Sequence, residues 1–362
     1  MRGRVVFRTA NLVNRTFKPE PIMQAIAAIQ PLPVTDPACF VDIELPDPVP
    51  RPHDLVVAVE AISVNPVDCK QRMIKARTEG SPRVLGYDAA GVVQAVGAAV
   101  TLFKPGDRVF YAGDVTRPGT NSRLHAVDER IVGPMPASLD FAAAAALPLT
   151  AITAWESLFD RLKVSAPPRA QPRKSLLIIG GAGGVGSIAI QLAAKVAGLS
   201  VIATASRPES AQWCRDLGAC AIADHSGDLV AAVRATGYRQ VDYVMLLNDG
   251  ERNFAAAAEL LAPLGGICSI LRVNAPLDVA RLMGKSCSLS WEFMFTRPAQ
   301  GTPDMIEQHY LLGEVARLVD QGVIRSTVNR VLSPINAATL REAHALVEAG
   351  RSIGKVVLQG WS

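Results

Sequence analysis

In the first half of the chain, short apolar stretches alternate with polar and turn-forming residues, and this pattern predicts β-strands. A first strand is predicted from Met23 in "MQAIAAIQPLP", and longer ones in "DLVVAVEAISV" (54–64) and "AAGVVQAVGAAV" (89–100). Their β-branched side chains and glycines favour strands separated by turns. A Pro-Gly-Asp turn in "FKPGDRVFY" precedes another strand. This half therefore predicts an irregular β-barrel or sandwich.

The pattern changes near Ser138, a predicted helix cap that is followed by an Ala-rich helix interrupted at Pro148. From Leu176 onwards apolar strands alternate with helices, starting with "LLIIG" and a helix from about Gly186. "CSLSWEFMF" (287–295) predicts a further apolar strand, and two helices and the strand "GKVVLQG" finish the chain. This alternation predicts an α/β fold in which helices cover both faces of a parallel sheet.

The first strand–helix junction of this sheet is rich in glycine. Gly181, Gly183 and Gly186 fit the pattern G-x-G-x-x-G, and Gly180 and Gly184 add conformational freedom. In that pattern the first glycine permits a tight turn, the second lets the backbone approach a pyrophosphate, and the third lets the helix pack closely. Because the motif lies inside a series of βα units, it predicts dinucleotide binding. The expected cofactor-binding residues of this turn are Gly181, Gly183, Gly184, Val185 and Gly186.

The second strand of the series, in "VIATASRPES", indicates which dinucleotide is bound. An NAD enzyme usually carries Asp or Glu at the end of this strand, where the acid binds a ribose hydroxyl. This chain has Ser206 and Arg207 instead. A hydroxyl and a guanidinium suit a ribose phosphate, which an acid would repel. The expected cofactor is therefore NADPH.

Composition excludes several classes of protein. Of the 362 residues, 49% are hydrophobic and 19% charged, as in a soluble globular protein. The net charge of +4 is scattered without basic–aromatic clusters, so no nucleic-acid partner is expected. No apolar run approaches the ~20 residues of a membrane span, so no membrane partner is expected. The first residues lack a signal peptide, and the six cysteines form no CxxC pair. These features favour a cytoplasmic protein.

The motifs taken together resemble those of a known family. They are, in order, "AISVNPVDCK", "LGYDAAGVVQAVG", "FKPGDRVF", "ALPLTAITAWESL", "GGAGGVGSIAIQLA" and "GKVVL". From Met23 to the C-terminus the chain resembles the medium-chain dehydrogenase/reductase superfamily, in its zinc-lacking, quinone oxidoreductase-like branch. "WEFMFTRP" and "TPDMIEQHYLL" are similar to proteins named zinc-type alcohol dehydrogenase-like.

The resemblance implies a GroES-like β-barrel domain joined to a Rossmann domain. The expected limits are an N-terminal extension (1–22), a GroES-like catalytic domain (23–145), a Rossmann NADPH-binding domain (146–298) and a C-terminal return to the catalytic domain (299–362). For residues 1–22 the alternatives are an extension from an upstream start and a disordered arm. The resemblance also implies a homodimer, because the family often pairs through the edge strands of its Rossmann sheet, here "CSLSWEFMF".

The resemblance identifies the positions where zinc members of the family carry their metal ligands. This chain has Asn65, Tyr87 with Asp88, and Leu149 at those positions. A catalytic zinc needs three protein ligands of N, S or O type. Amide, phenol and aliphatic side chains do not supply them, and the cysteines of a structural zinc lobe are absent from the sequence between Cys69 and Cys214. We therefore expect no metal.

Without a Lewis acid, the substrate must accept hydride more readily than a simple ketone does. A quinone or an α,β-unsaturated carbonyl compound meets this condition, provided hydrogen-bond donors stabilise the developing oxyanion. Asn65 and Tyr87 are the expected catalytic donors, and Tyr87 or water could deliver the proton. The alternatives are that Asn65 only caps a turn before Pro66 and that Tyr87 only fills the pocket wall.

By resemblance, Thr153 lies near the nicotinamide amide, Asn248 lies along the cofactor cleft, and Lys355 lies on the phosphate side. Trp291 and Phe295 belong either to the pocket or to the core. Two other functions remain open. One is a metal-dependent alcohol or aldehyde dehydrogenase, against which the missing ligands argue. The other is a cofactor-binding sensor or structural protein, because binding NADPH does not require turnover.

Overall fold

The computed structural model describes residues 22–74, 80–165 and 173–362. The predicted extension (1–22) lies outside these ranges except for Ile22, the first residue of a strand. The strands in these ranges are β1 (Ile22–Ala28), β2 (Val41–Pro46), β3 (Asp54–Val64), β4 (Arg83–Val84), β5 (Ala89–Val96), β6 (Arg108–Tyr111), β7 (Leu124–Asp128), β8 (Val132–Pro134), β9 (Ser175–Ile179), β10 (Ser200–Thr204), β11 (Ala221–Ala223), β12 (Val241–Leu246), β13 (Leu261–Ser269), β14 (Ser288–Trp291), β15 (Val328–Leu332) and β16 (Lys355–Gln359).

Helices follow most strands of the second half. The α-helices are α1 (Pro66–Arg72), α2 (Phe141–Ala145), α3 (Pro148–Trp155), α4 (Gly184–Gln191), α5 (Pro208–Leu217), α6 (Leu229–Ala235), α7 (Gly250–Leu260), α8 (Thr296–Gln300), α9 (Glu307–Asp320) and α10 (Ala337–Glu348). α3 and α4 continue as π-helical turns over Glu156–Arg161 and Leu192–Val196. Short 3₁₀ turns cover Pro37–Cys39, Glu129–Ile131 and Val279–Lys285.

The first half of the chain forms β-sheets, as its hydrophobic pattern predicts. One sheet has the order β15-β16-β3-β5-β6-β8, with β7 also paired to β3, and a smaller antiparallel sheet has the order β2-β1-β4. β3 pairs with β5, β7 and β16, which explains why its sequence is apolar almost throughout. Two of its side chains, Leu55 and Ile62, are fully buried in the core of this half.

The second half forms the predicted parallel sheet, with the order β11-β10-β9-β12-β13-β14. All five residues of β9 are buried, as expected for a central strand that helices cover on both faces. The strand order reverses between β9 and β12, and such reversals place ligands at the carboxyl ends of the strands. The glycine turn follows β9 and therefore lies at this position.

The last strand returns to the first sheet. β16 pairs antiparallel with β3, where Val356 faces Val64 and Gln359 faces Ala61. This pairing brings the C-terminal segment beside the β-rich half, although the domain limits 23–145, 146–298 and 299–362 stay predictions.

The local boundaries differ from the predicted ones in three places. The carboxylate of Asp140, and not Ser138, caps α2 by accepting from the Ala143 N–H (2.7 Å), while the Ser138 hydroxyl donates to Asp320 (2.7 Å). α4 begins at Gly184 rather than at Gly186. Only residues 288–291 of the predicted strand 287–295 pair with β13, because the chain then turns towards α8.

One helical stretch meets the length and composition criteria for a membrane span. Phe141–Arg161 covers 21 residues and contains an 18-residue window with a mean hydropathy of 1.3, so the expectation that no apolar run approaches such a span is wrong. Polar residues interrupt the apolar run in the sequence, but they lower its mean hydropathy only slightly. Because 83% of that 18-residue window is buried inside the protein, the stretch belongs to the protein core.

A group of polar side chains, all buried except the partly exposed Arg161, connects β14 with α8, α9 and the π-helical turn after α3. We call it the edge cluster; its members are Glu156, Arg161, Glu292, Arg297 and Gln308. Arg297 donates to Glu156 (2.5 Å), and Gln308 Nε2 donates to the same carboxylate (3.1 Å). Arg161 donates to Glu292 (2.7 Å). Burial and the nearby carboxyl of Glu156 raise the pKa of Glu292 to about 9, so Glu292 holds a proton at neutral pH.

Candidate active site

The tight turn after β9 is made by Gly180, whose φ of +95° favours glycine. The sequence pattern assigned this role to Gly181, which instead provides close packing. A Cβ atom at Gly181 would lie 2.8 Å from the Ala203 Cβ and 3.1 Å from the Cys214 sulfur. The turn is held to β10 because the Gly180 N–H donates to the Thr204 hydroxyl (3.0 Å).

The next glycines leave room for an anion at the start of α4. A Cβ at Gly183 would approach only the Gly180 carbonyl oxygen, at 3.6 Å, so the backbone there is open. A Cβ at Gly186 would collide with the carbonyl oxygens of Gly180 and Gly181, which explains the close packing of helix and strand. Val185 is half-buried in the first turn of the helix. The open backbone and the helix N-terminus fit the pyrophosphate of a dinucleotide.

Ser206 and Arg207 follow β10 beside this turn. Ser206 is exposed and Arg207 is half-buried, so both can face a ligand. The guanidinium of Arg207 donates to the Arg351 carbonyl oxygen (2.8 Å), which holds it against the loop before β16. A guanidinium keeps further donors when one is used, so Arg207 fits a ribose phosphate.

Two further predicted cofactor residues lie near the glycine turn or on the helix before it. Asn248 follows β12, is exposed, and places its Cβ 3.2 Å from the Cβ position of Gly180. Thr153 is buried on α3, and its hydroxyl donates to the Leu149 carbonyl oxygen (2.7 Å). The Thr153 hydroxyl can still accept a hydrogen bond, as the predicted contact with a nicotinamide amide requires.

Asn65, Asp68, Asp88 and Lys355 meet where β3, β5 and β16 approach α3 and α4. We call these four residues the junction cluster. Lys355 is 3% exposed and Asp88 is fully buried, so the ion pair between them (3.0 Å) is shielded from water. The Lys355 ammonium also donates to the Val64 carbonyl oxygen (3.1 Å) and to the Asn65 Oδ1. The sequence placed Lys355 on the phosphate side, whereas its ammonium lies in this cluster.

Asp88 accepts four hydrogen bonds in this cluster. Its Oδ2 accepts from Asn65 Nδ2 (2.7 Å), from the Ser63 hydroxyl (2.9 Å) and from Lys355. Its Oδ1 accepts from the Leu149 N–H (2.8 Å). The Asp88 side chain is therefore held by four donors, one of them charged.

Asp68 lies in the first turn of α1, where one of its oxygens accepts from the Asn65 N–H (2.6 Å). Its Oδ1 is buried and has no hydrogen-bond partner among the described residues. Burial is the main reason why the pKa of Asp68 rises to about 7, and the nearby Lys355 opposes this shift. Asn65 does begin α1, as the turn-capping alternative held, but its amide faces Lys355 and Asp88.

Tyr87 directly precedes Asp88 and lines the wall of the site. Its ring packs edge-on against Phe295, with 5.1 Å between the ring centroids, and Phe295 packs against the half-exposed Phe293. The Tyr87 hydroxyl makes no hydrogen bond with any residue in the described ranges. Burial, with a contribution from Asp68, raises the pKa of Tyr87 above its usual value, so the phenol keeps its proton.

The junction cluster does not fit a catalytic zinc ion. Of the predicted ligand positions, Asn65 offers an amide that is already paired, Leu149 offers an aliphatic side chain, and Asp88 offers a carboxylate paired with an ammonium. A second cation beside the Lys355 ammonium would be repelled. In residues 22–74, 80–165 and 173–362, no three His, Cys, Asp or Glu side chains form a group that could hold a metal.

Sequence reasoning did not identify three features of this site. Asp68 was not singled out, Asp88 was noted only as a lost metal ligand, and Thr204 was read only as part of a strand. Asp68 follows Asn65 by three residues, the spacing of a helix-capping pair, so a local signal was present. The ion pair between Asp88 and Lys355 spans 267 residues, and the sequence contains no local signal for it.

Comparison with known proteins agrees with this arrangement. Residues 51–137 match the alcohol dehydrogenase GroES-like domain, and residues 217–358 match the zinc-binding dehydrogenase family. A zinc-type alcohol dehydrogenase-like protein of Staphylococcus aureus is 42% identical over 336 residues, 93% of this chain and 99% of the relative. The quinone oxidoreductase of Pseudomonas aeruginosa is 31% identical over 316 residues, 85% and 92% of the two chains. A mycobacterial protein solved with NADPH has a TM-score of 0.79 and 27% identity, over 93% and 99% of the chains.

A GroES-like domain followed by a dinucleotide-binding parallel sheet defines a nicotinamide-dependent oxidoreductase. The chain belongs to the medium-chain dehydrogenase/reductase superfamily, in its quinone oxidoreductase-like branch. The predicted family and fold class are thereby confirmed.

Proposed function

We propose that this protein is a zinc-independent oxidoreductase that uses NADPH to reduce a quinone or an α,β-unsaturated carbonyl compound. The observation that carries this proposal is the junction cluster. Where a metal-dependent relative needs three ligands and an open position, this chain has a paired amide (Asn65), a phenol followed by a carboxylate that is paired with the Lys355 ammonium (Tyr87 and Asp88), and an aliphatic side chain (Leu149). Such a site offers hydrogen bonds and fixed charge to a substrate, but no Lewis acid.

Several residues support NADPH as the cofactor. The glycine turn offers open backbone to a pyrophosphate, and Ser206 with Arg207 offers a hydroxyl and a cation next to the ribose position. The chain from Ala205 to Arg207 carries no acid that would repel a ribose phosphate. A mycobacterial relative was solved with this dinucleotide.

When bound, NADPH supplies the hydride, and the side chains of this protein must hold the substrate and stabilise its oxygen. Tyr87 is the proposed proton donor, because its phenol is neutral and is not bonded to a described residue. Asn65 keeps one Nδ2 hydrogen that Asp88 does not use, and this hydrogen can bind the same oxygen. The half-exposed Phe293 beside Phe295 offers an apolar surface to a flat substrate.

We further propose that the protein is a cytoplasmic homodimer that pairs through β14. This strand is an edge of the parallel sheet and pairs only with β13 in the described part of the chain. Trp291 at its end is 50% exposed, and an uncovered apolar edge favours aggregation. Light scattering should give about twice the mass of one chain. The mass of a single chain would contradict the dimer.

A substrate and cofactor panel tests the proposed activity. Purified protein is mixed with NADPH or NADH and with quinones, enones or simple aldehydes, and nicotinamide oxidation is followed by absorbance. Turnover of quinones or enones, faster with NADPH, is the expected result. Turnover of aldehydes alone would contradict the proposal, and tight NADPH binding without any turnover would instead favour a sensor or structural role.

The Arg207→Ala variant tests the cofactor within the same assay. Loss of one charged contact to a phosphate should raise the Kd for NADPH about tenfold or more, with little change for NADH. Arg215→Ala, an exposed arginine of the same helix region, serves as the matched control. Equal losses for both dinucleotides would contradict a ribose-phosphate contact.

A further inference from the structure

We propose that Lys355 is a positioning residue of the hydride-transfer site: its buried ammonium fixes the orientation of the Asn65 amide, so that one Nδ2 hydrogen is directed to the substrate. This inference rests on the proposed function.

The two ends of an amide differ in chemistry, because its oxygen only accepts and its nitrogen only donates. On one side of Asn65 lies the Lys355 ammonium, which only donates. On the other side lies the Asp88 carboxylate, which only accepts, at 2.7 Å from Nδ2. Rotating the amide by half a turn would place nitrogen against ammonium and oxygen against carboxylate. Only one orientation is therefore compatible with both neighbours.

The Lys355 ammonium is used completely in this arrangement. It has three hydrogens, and its three acceptors are the Val64 carbonyl oxygen, Asn65 Oδ1 and Asp88 Oδ2. No hydrogen remains for a cofactor phosphate in this conformation. Lys355 consequently acts on the reaction through Asn65. A direct hydrogen bond from Lys355 to a cofactor phosphate, as the sequence suggested, would need a fourth N–H that the ammonium does not have.

The lysine also connects this amide to the cofactor turn through its stem. Its Cδ lies 3.0 Å from the Cβ position of Gly184, at the start of α4. The preceding residue, Gly354, donates its N–H to the Ala182 carbonyl oxygen (2.9 Å). Gly354 and Lys355 thus connect the glycine turn with the Asn65 amide.

The Lys355→Met variant separates the ammonium from the stem, because methionine keeps a similar unbranched chain against Gly184. We expect kcat with saturating NADPH to fall about 100-fold, the effect of losing one oriented donor. The Kd for NADPH, measured by fluorescence titration, should change by less than about threefold. A tenfold weaker Kd with an unchanged kcat would overturn the inference in favour of a phosphate contact.

A double-mutant cycle tests whether Lys355 acts through Asn65. In the Asn65→Ala background, Lys355→Met should change kcat by less than about threefold, because the group it positions is gone. Full additivity of the two losses would show that the residues act independently and would overturn the inference.

A readout without turnover separates this inference from the proposed function. Lys355→Met leaves the buried Asp88 carboxylate without its counter-ion. The double variant Asp88→Asn/Lys355→Met should therefore melt several degrees higher than Lys355→Met alone. If no quinone or enone is reduced but this recovery is seen, the proposed function fails and the ion pair stands. If Asp88→Asn lowers the melting temperature equally in the wild type and in the Lys355→Met variant, the ion pair does not stabilise the site, and the inference fails.

Discussion

The junction cluster and the edge cluster are both buried and charged, but their polar atoms are paired to different extents. In the junction cluster the three acceptors of Lys355 and the four donors to Asp88 match in number and type, and only the Asp68 Oδ1 lacks a partner among the described residues. In the edge cluster, the Oε1 atoms of Glu292 and Gln308 are both buried without a partner in the same part of the chain.

This difference indicates different roles. A network in which nearly every polar atom is hydrogen-bonded has few low-energy geometries, which suits the positioning of reacting groups. The edge cluster contains two buried carboxyl groups, Glu156 and Glu292, whose mutual repulsion is relieved when one of them is protonated. It joins the edge strand to α8 and α9, so we expect its charges to affect stability and its pH dependence more than catalysis.

The largest expected effect comes from breaking the edge cluster at Arg297. Arg297→Met removes the cation that faces the buried Glu156, and it should lower the free energy of unfolding by about 3–5 kcal/mol in urea denaturation. Adding Glu156→Gln to the same chain should recover part of this loss, because the buried carboxylate is then gone and the other two partners of Arg297, Asp160 and Asp304, are partly exposed to water. A loss below about 1 kcal/mol would mean that the cluster is more hydrated than its burial indicates.

The next effect is on turnover and concerns the wall of the junction cluster. Tyr87→Phe removes a hydroxyl without a described hydrogen-bond partner, so the free energy of unfolding should change by less than about 1 kcal/mol. The kcat for quinone or enone reduction should fall about 100-fold if this phenol donates the proton. Stopped-flow or steady-state rates at saturating NADPH measure the effect. Full activity would assign the proton to water.

The pH dependence of stability distinguishes the two clusters further. The pKa of Glu292 is raised in the folded protein to about 9, so folding binds a proton that the unfolded chain releases above its ordinary carboxyl pKa. The stability of the wild type relative to Glu292→Gln should therefore fall by about 2 kcal/mol as the pH rises from 5 to 6.5, and it should continue to fall towards pH 9. The stability of the wild type relative to Asp68→Asn should also fall with rising pH, and this fall should be complete near pH 7. Urea denaturation at several pH values measures both, and a rise with pH would contradict the assignments.

The smallest effect is expected for an exposed ion pair outside both clusters. Arg234 and Glu259 lie 3.0 Å apart, with about half of each side chain exposed. Arg234→Met should change the free energy of unfolding by less than about 0.5 kcal/mol, because water screens this pair. It is the matched control for Arg297→Met, and equal losses in the two variants would remove the distinction based on burial.

Much of the fold could be predicted from the sequence, because its signals are local. The strand predicted over 54–64 has the bounds of β3, and the glycines after "LLIIG" mark the strand–helix turn. The sequence placed the tight turn one residue late and made the strand at 287–295 too long. An apolar run does not show where a chain leaves its sheet, and neighbouring glycines do not show which of them adopts a positive φ.

The site could be predicted only in part. Asn65 and Tyr87 were recognised through the resemblance, and the structure brings Asn65 together with Lys355. Asp88 and Lys355, which orient the Asn65 amide, were not predicted as its partners, because they are 23 and 290 residues away in the chain. The same holds for the edge cluster: Arg297 and Glu156 are 141 residues apart, and nothing in either local sequence specifies their pairing. Such pairings depend on packing between elements rather than on periodicity.

Metal dependence is the measurement that tests the central claim most directly. The protein is dialysed against a chelator, its zinc content is measured by mass spectrometry, and NADPH oxidation by a quinone or enone is followed before and after zinc is restored. We predict less than about 0.1 zinc ion per chain and an unchanged rate throughout, because the junction cluster supplies too few ligands. Bound zinc near one ion per chain, with activity that is lost on chelation and regained with zinc, would contradict this account.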